Sequence, residues 1–439
     1  MTELLSRLAE CLVGTPLHER LAPHAGPFLE RRGRDPSLAS LAGQELRGLA
    51  RLLACSAEAA RYLSIRPTLV ERLAVVGPST LEVRAAELAR TDSPAPLADL
   101  EAYLDALRLV RRDETVLAAC LQMGGQVDFE QVSVFLSIVA ETCLRWGLLA
   151  AYPKPGDTAS SALGIVGMGK IAGREFSYAS DLDLIFLVGD EVPEITEPSR
   201  VARRLIAYLT SMTGAGVVYA VDSRLRPSGG QGTLVSTFKS FERYQLERAQ
   251  TWEHLALMRA RAIAGDVEAA EDVLQATRAA VLGRGHSPWR EVADMRARVE
   301  RERGQEELGT VALKAGRGGL MDVEFLAGGA LLERGAALEA GALPNVPALL
   351  RSAAPGPALE ALLAEYGFLR RVEGCARFIA ARALESVRIS GDGAPVLAEI
   401  VEPGTSPGEL AERIEGARGV IRRGYDAVIR AGSIAALAS

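Results

Sequence analysis

From the N-terminus to about residue 150, apolar positions recur every three or four residues, the period of amphipathic helices. LASLAGQELRGLARLLA (38–54), LADLEAYLDALRLV (97–110) and the run from Phe129 to Leu149 carry it, and Asp128 is a candidate N-cap for the last. PKPGDTASS (153–161), with two prolines and a glycine, reads as a linker. Between 162 and about 262 strand and helix patterns alternate. Strands are predicted over 162–167, 182–188 and 217–226, with a helix over 198–213 stopped by Gly214 and Gly216. A long helix is predicted from 238 to 262, with Phe241, Tyr244, Trp252, Leu255 and Met258 as its core stripe. Two amphipathic helices fill 266–304 and lead to the glycine-rich turn 315–319 and a helix carrying Asp322 and Glu324. Residues 345–439 read as three or four helices, with turns at Pro355-Gly356-Pro357 and Gly391-Asp392-Gly393. The pattern predicts an α+β chain, predominantly helical, in three parts. These are a helical domain over 1–152, a segment with a small mixed sheet over 162–265, and a helical bundle over 266–439.

Composition sharpens this picture. A chain of 439 residues has room for about three domains. Hydrophobic content of 48% beside 24% charged residues fits a globular protein, and 5% aromatic residues fits an Ala/Leu-rich helical one. A net charge of −6 argues against nucleic acid as a partner, because phosphate binding needs clustered cations. Arg31-Arg32 and Arg111-Arg112 are short pairs with acids nearby and read as solvated helix faces. Cys11, Cys55, Cys120, Cys143 and Cys375 are scattered without a CxxC, which predicts reduced, core-filling thiols and a cytoplasmic location. The opening residues lack a basic-apolar-small leader, and no apolar run of about 20 residues is apparent, so neither secretion nor membrane spanning is predicted. His18, His24, His254 and His286 are too dispersed for a zinc site.

The candidate chemistry lies in 162–188, ALGIVGMGKIAGREFSYASDLDLIFLV, and in 217–232, VVYAVDSRLRPSGGQG. An apolar strand turns at Gly167-Met168-Gly169-Lys170 and returns through Asp181-Leu182-Asp183. In a strand Asp181 and Asp183 point the same way, about 7 Å apart, while Leu182, Leu184 and Phe186 pack behind them. Like charges so placed are costly unless a cation sits between them, and hard oxygen donors suit Mg²⁺. Asp222, in a second strand-like run, adds a third carboxylate. A glycine turn and three aspartates on neighbouring strands predict metal-dependent phosphoryl or nucleotidyl transfer, with Asp181, Asp183 and Asp222 as ligands.

Several stretches carry a family resemblance. GMGKIAGREFSYASDLDLIFL, YAVDSRLRPSGGQGTLV, TWEHLALMRARAIAGD and, further on, LKAGRGGLMDVEF (313–325) resemble the glutamine synthetase adenylyltransferase family, with LRLVRRDETVL a looser match. The resemblance implies a polymerase β-like nucleotidyltransferase fold set among helical domains. It implies transfer of AMP from ATP to a tyrosine of glutamine synthetase, with two Mg²⁺ ions held by Asp181, Asp183 and Asp222. Gly167, Gly169 and Lys170 would then meet the β/γ-phosphates, Ser177 and Ser180 would donate hydroxyls to them, and Arg224 and Arg226 would stabilise phosphate charge. Salt bridges to the aspartates are the rival role for those arginines. Glu253 and His254 read as helix anchors, while Lys314, Asp322 and Glu324 either reach the rim of the site or cap a turn.

The family ordinarily carries two such units in tandem, one adding AMP and one removing it by phosphorolysis. This sequence reads as one unit, either half of such a protein or a single-activity version. DLDLIFL, the run Arg226-Pro227-Ser228-Gly229-x-x-Gly232, TWEH (251–254) and MDVEF (321–325) resemble the adenylylating unit. The PII signal protein and glutamine are the effectors the resemblance implies. Rival readings are phosphorolytic deadenylylation, uridylylation of a signal protein, and a non-catalytic regulator that binds glutamine synthetase. The last has no use for three clustered carboxylates.

Overall fold

The computed structural model describes residues 2–74, 77, 79–152, 163–192, 194–283, 285, 287–335 and 342–438. The predicted linker over 153–161 lies outside the described residues. Helices dominate, around one small mixed sheet. The sheet comprises β1 (Gly164–Gly167), β2 (Leu182–Val188), β3 (Val221–Asp222), β4 (Val235–Thr237) and β5 (Arg261–Gly265). Its order is β3-β2-β1-β5, with β4 also on β2. β1 runs antiparallel to both β2 and β5. β3 and β4 pair parallel with opposite ends of the same edge of β2, Asp183 opposite Asp222 at one end and Val188 opposite Thr237 at the other. A two-stranded ribbon, β6 (Thr310–Val311) with β7 (Val387–Arg388), lies apart.

β2 is apolar along almost its whole length because both of its faces are covered. Leu182, Leu184, Phe186 and Val188 join the core of the N-terminal helices, while Ile185 and Leu187 join that of the C-terminal helices. Asp183 shares the parity of Ile185 and Leu187, so the period of two aims its carboxylate toward the C-terminal side. Among the N-terminal helices, Gly43–Cys55 packs along Leu100–Gly124, and Phe129–Ala151 runs from there to the sheet, touching β5. A reciprocal capping box of Asp128 and Gln131 starts Phe129–Ala151, as the N-cap reading of Asp128 expected. That helix is long and apolar enough to cross a membrane, where no apolar run of about 20 residues was expected. Its apolarity follows from position: it is mostly buried among helices 80–90, 100–124 and 196–210, so few of its faces meet water.

Four expected elements differ. The 38–54 helix is interrupted at 40–42, between a 3-10 turn at Pro36–Ala39 and the helix proper. The 198–213 helix spans Thr196–Thr210 and ends before Gly214 and Gly216, which belong to a bridged turn. The 238–262 helix is two helices, Phe238–Glu247 and Thr251–Met258, followed by β5. Gln250 and Glu253 form a capping box that begins the second helix, and Tyr244 donates to Glu253 across the break. Phe241, Leu255 and Met258 are buried in one core, so the apolar period survives an interruption of the backbone. The 217–226 strand shrinks to Val221–Asp222 because the Asp222 carboxylate accepts the Arg224 backbone N–H at 2.8 Å and turns the chain there. Cys55, Cys120, Cys143 and Cys375 are buried free thiols, and Cys11 is partly exposed.

The helix Pro357–Ala380 packs against both Phe129 and the loop before β2. A Cβ on Gly374 would lie 2.2 Å from Phe129 Cε2 and 3.2 Å from Ser177 Oγ. Gly374→Ala is therefore expected to cost about 1–3 kcal/mol through overpacking, read as a lowered urea midpoint with an unchanged slope.

Candidate active site

The loop between β1 and β2 carries most of the predicted site, and it is tied down from three directions. At its base the Met168 N–H donates to the Asp183 carbonyl at 2.9 Å. Gly169 follows at φ +57, a left-handed conformation that glycine adopts without strain. A side chain there would stand 3.6 Å from Asp183 Oδ2, so glycine leaves that carboxylate open on this side. Gly167 is a packing glycine: its missing Cβ would sit 2.9 Å from Ile263 Cδ1.

Glu175, buried in the middle of the loop, is its anchor. Arg259 meets Glu175 Oε2 at 2.6 Å, Tyr366 donates to Oε1 at 3.4 Å, and Arg370 donates to the Glu175 carbonyl at 2.9 Å. Arg370 also reaches Ser133 Oγ at 3.0 Å, and the Phe176 N–H donates to Ser137 Oγ at 3.1 Å. Arg174 and Arg261 both pair with Glu141 of Phe129–Ala151. Opposite charges so enclosed hold each other in place, because a lone one would keep its whole desolvation cost.

The predicted phosphate contacts are mostly engaged elsewhere. Lys170 pairs with buried Glu373 at 2.6 Å, and Glu373 also meets Arg377 at 3.0 Å. Burial works to raise the Glu373 pKa, but Lys170 and Arg377 outweigh it and hold it at about 2. Ser177 and Ser180 are buried, and Ser180 Oγ accepts the Ser177 N–H at 3.0 Å, closing the tight turn through Tyr178 and Ala179. Neither hydroxyl is solvent-facing, and Ser177 Oγ has no hydrogen-bond partner among the described residues. Arg226 donates to the Ser223 carbonyl at 2.7 Å and to Ser223 Oγ at 2.9 Å. It shapes the 223–232 loop rather than extending a strand face. Arg224 is exposed, and its Nε lies 2.9 Å from Asp222 Oδ2, the salt-bridge alternative for this residue.

The carboxylates come together in part. Asp183 and Asp222 are register partners on adjacent parallel strands, and exposed Asp181 stands just before β2. Among the described residues no three His, Cys, Asp or Glu side chains converge as a metal-ligating group. The Arg224 clamp that draws Asp222 to its own turn is consistent with that. Burial, together with the charges of Asp222 and Asp181, lifts the Asp183 pKa to about 6 against the pull of Lys314 and Lys170. The hard oxygen donors and the excess of negative charge suit a divalent cation. Arg224, already exposed, is the group that would have to move aside.

Lys314 comes from the glycine-rich turn, far along the chain. Its side chain is exposed and makes no hydrogen bond or ion pair among the described residues, while its carbonyl accepts the Met321 N–H at 3.1 Å. The turn behind it is rigid. Arg296 donates to the Gly316 carbonyl at 2.6 Å and pairs with buried Asp322, whose Oδ2 accepts the Gly318 N–H at 3.0 Å. Gly318 has φ +70, and a Cβ there would lie 2.2 Å from the Arg418 carbonyl. Asp322 is thus a brace for the turn, not a rim residue. Glu175, Arg259, Arg370 and Glu373 escaped the sequence reading. The pair Glu373 and Arg377, i,i+4 on the helix Pro357–Ala380, was the available signal for two of the residues in this network.

A model of the glutamate-ammonia ligase adenylyltransferase family matches residues 46–276, more than half of the chain. A bifunctional glutamine synthetase adenylyltransferase/adenylyl-removing enzyme of Chromobacterium violaceum is 34% identical over 367 residues, 80% of this chain and 40% of that protein. Proteins of the same description from Aromatoleum aromaticum and Neisseria meningitidis serogroup A are 33% and 36% identical, over 74% and 64% of this chain and 36% and 32% of theirs. The matched part of the chain spans two fifths or less of the length of these relatives.

A raised carboxylate pKa means that the folded state holds its proton more tightly than the unfolded chain, whose Asp titrates near 3.9. Stability then falls as pH rises from about 4 to about 6, and the full penalty is present above that. Asp183→Asn removes it. The variant is expected to be about 1–2 kcal/mol more stable than the parent at pH 8, with the difference vanishing near pH 4, measured by chemical denaturation across pH.

Proposed function

The chain belongs to the glutamate-ammonia ligase adenylyltransferase family, and on that premise we propose that it transfers AMP from ATP to a tyrosine of glutamine synthetase. The observation that carries this reading is the register of Asp183 against Asp222, beside a glycine turn that leaves Asp183 accessible. In this reading 162–265 is a nucleotidyltransferase domain of the polymerase β kind, between helical domains over 1–152 and 266–439. Asp181, Asp183 and Asp222 would hold two Mg²⁺ ions, which when bound neutralise phosphate charge and make the tyrosine hydroxyl more acidic. Arg224, released from Asp222, swings from its exposed turn toward the phosphates. Lys314 supplies a fixed cation on the other side, already presented by a braced turn. Lys170 acts through position: its pair with Glu373 holds the Gly169 turn against the C-terminal helix. Gly167, Ser177, Ser180 and Arg226 shape the backbone around the site.

Phosphorolytic removal of AMP is the second reading, favoured by the double description of the relatives. The PII signal protein and glutamine enter the proposal as effectors, and the cytoplasm as the compartment that holds ATP, glutamine synthetase and reduced thiols.

With α-labelled ATP, Mg²⁺ and glutamine synthetase, the intact chain is expected to label glutamine synthetase, and Asp181→Ala/Asp183→Ala is not. Phosphate-dependent release of ADP from adenylylated glutamine synthetase, without labelling, would transfer the assignment to removal. Failure of both reactions would sink the enzymatic reading for this chain. Lys314→Ala is expected to lower kcat/KM by about 10–100-fold while the thermal midpoint stays near the parent's, because the side chain is exposed and unpaired.

A further inference from the structure

A second cluster of cations lies beside the Tyr178–Ala179 turn, in a crevice that none of Asp181, Asp183 and Asp222 lines. A crevice of about 100 Å³ opens between helix Ala57–Ser64, helix Leu100–Gly124, that turn and the end of helix Pro357–Ala380. Arg111, Arg112 and Arg377 line it, and Glu58 is the one acid among its lining residues. Three guanidinium groups against one carboxylate leave an excess of two positive charges around a space suited to a single compact ion. The Tyr62 hydroxyl donates to Asp113 at 2.6 Å and the Thr115 hydroxyl to the Arg111 carbonyl at 2.7 Å, so the neutral groups of the lining are engaged.

The arginines are held in place without being saturated. Arg112 stacks 4.0 Å from the Tyr62 ring centroid, donates to the Ala215 carbonyl at 3.3 Å and reaches Glu58 at 3.5 Å. Arg111 lies 5.4 Å from the Tyr219 ring centroid. Arg377 is 8% exposed and pairs with Glu373. The Nε atoms of Arg111 and Arg377 are buried with no hydrogen-bond partner among the described residues. A buried guanidinium nitrogen without an acceptor is costly, and an oxygen-rich anion supplies acceptors to several such donors at once.

We propose that this crevice is a binding site for a small oxyanion, inorganic phosphate or the phosphoryl head of a small metabolite, held by Arg111, Arg112 and Arg377. It is separate from the carboxylate site and rests on none of the catalytic assignments. Arg377 joins the two, since it holds Glu373, which in turn holds Lys170 at the Gly169 turn.

The test is isothermal titration of the full chain at fixed ionic strength, with inorganic phosphate and glycerol phosphate as separate arms. Saturable binding of either, one per chain, is expected, and the two arms distinguish the free ion from a phosphoryl head group. Arg111→Gln and Arg112→Gln should each weaken binding about tenfold or more, the loss of one charge-assisted contact. Glu58→Gln should tighten it severalfold, a gain that misfolding cannot produce. Lys314→Ala should leave it unchanged. Absence of saturable binding in the parent, binding that survives both arginine variants, or binding lost in Lys314→Ala would overturn the proposal.

Discussion

The arrangement of this protein depends on one buried carboxylate. Glu175 sits in the loop between β1 and β2, where Arg259, Arg370 and Tyr366 converge on it from two other parts of the chain. A charge so enclosed leaves no cheap alternative conformation, because any departure of the loop strands an unpaired ion on each side. Ser137 and Glu141 hold the same loop from the helix Phe129–Ala151, and Ser133 on that helix accepts from Arg370. The segment that carries the candidate chemistry is therefore the place where both cores lock together, and its rigidity comes from contacts distant in sequence.

Rigidity here coexists with electrostatic tension at Asp183. A partly buried carboxylate beside two others is raised toward neutrality, and the cations nearest to it do not cancel that. Lys170 is committed to Glu373, and Arg224 to Asp222. Hard oxygen donors held close together against their own repulsion are the chemistry that a divalent cation would stabilise. Lys314, exposed on a turn whose glycines are closely packed, is the cation that most opposes the rise of the Asp183 pKa.

The elements read best from sequence were those whose pattern is dictated by local burial. β2 was legible to the residue because a strand covered on both faces has to be apolar throughout, and Asp183 stands out within it. The N-cap at Asp128 was visible because capping is a local interaction, whereas its reciprocal partner Gln131 emerged only in the structure. The break in 238–262 was hidden, since both helices feed one core and the apolar period runs through the interruption. The shortening of 217–226 was hidden for a related reason. Its alternation of Asp222, Arg224 and Arg226 mimics a strand face, whereas the Asp222 side chain closes a turn with the Arg224 backbone.

The sequence by itself determined the helical character of the chain, the strand that presents Asp183, the glycine turn beside it and the family to which these motifs point. Each of these is written in short-range periodicity or in contiguous residues. Which charges meet was decided by the tertiary structure alone. Lys170 could have faced a phosphate or a protein carboxylate, and only the approach of Glu373, some two hundred residues later, assigns it to the second in this state. The same holds for Arg224 against Asp222, for the burial of Ser177 and Ser180, and for the three arginines that gather beside the Tyr178–Ala179 turn. Ion pairing and desolvation depend on distance in space, which the order of residues along the chain does not encode.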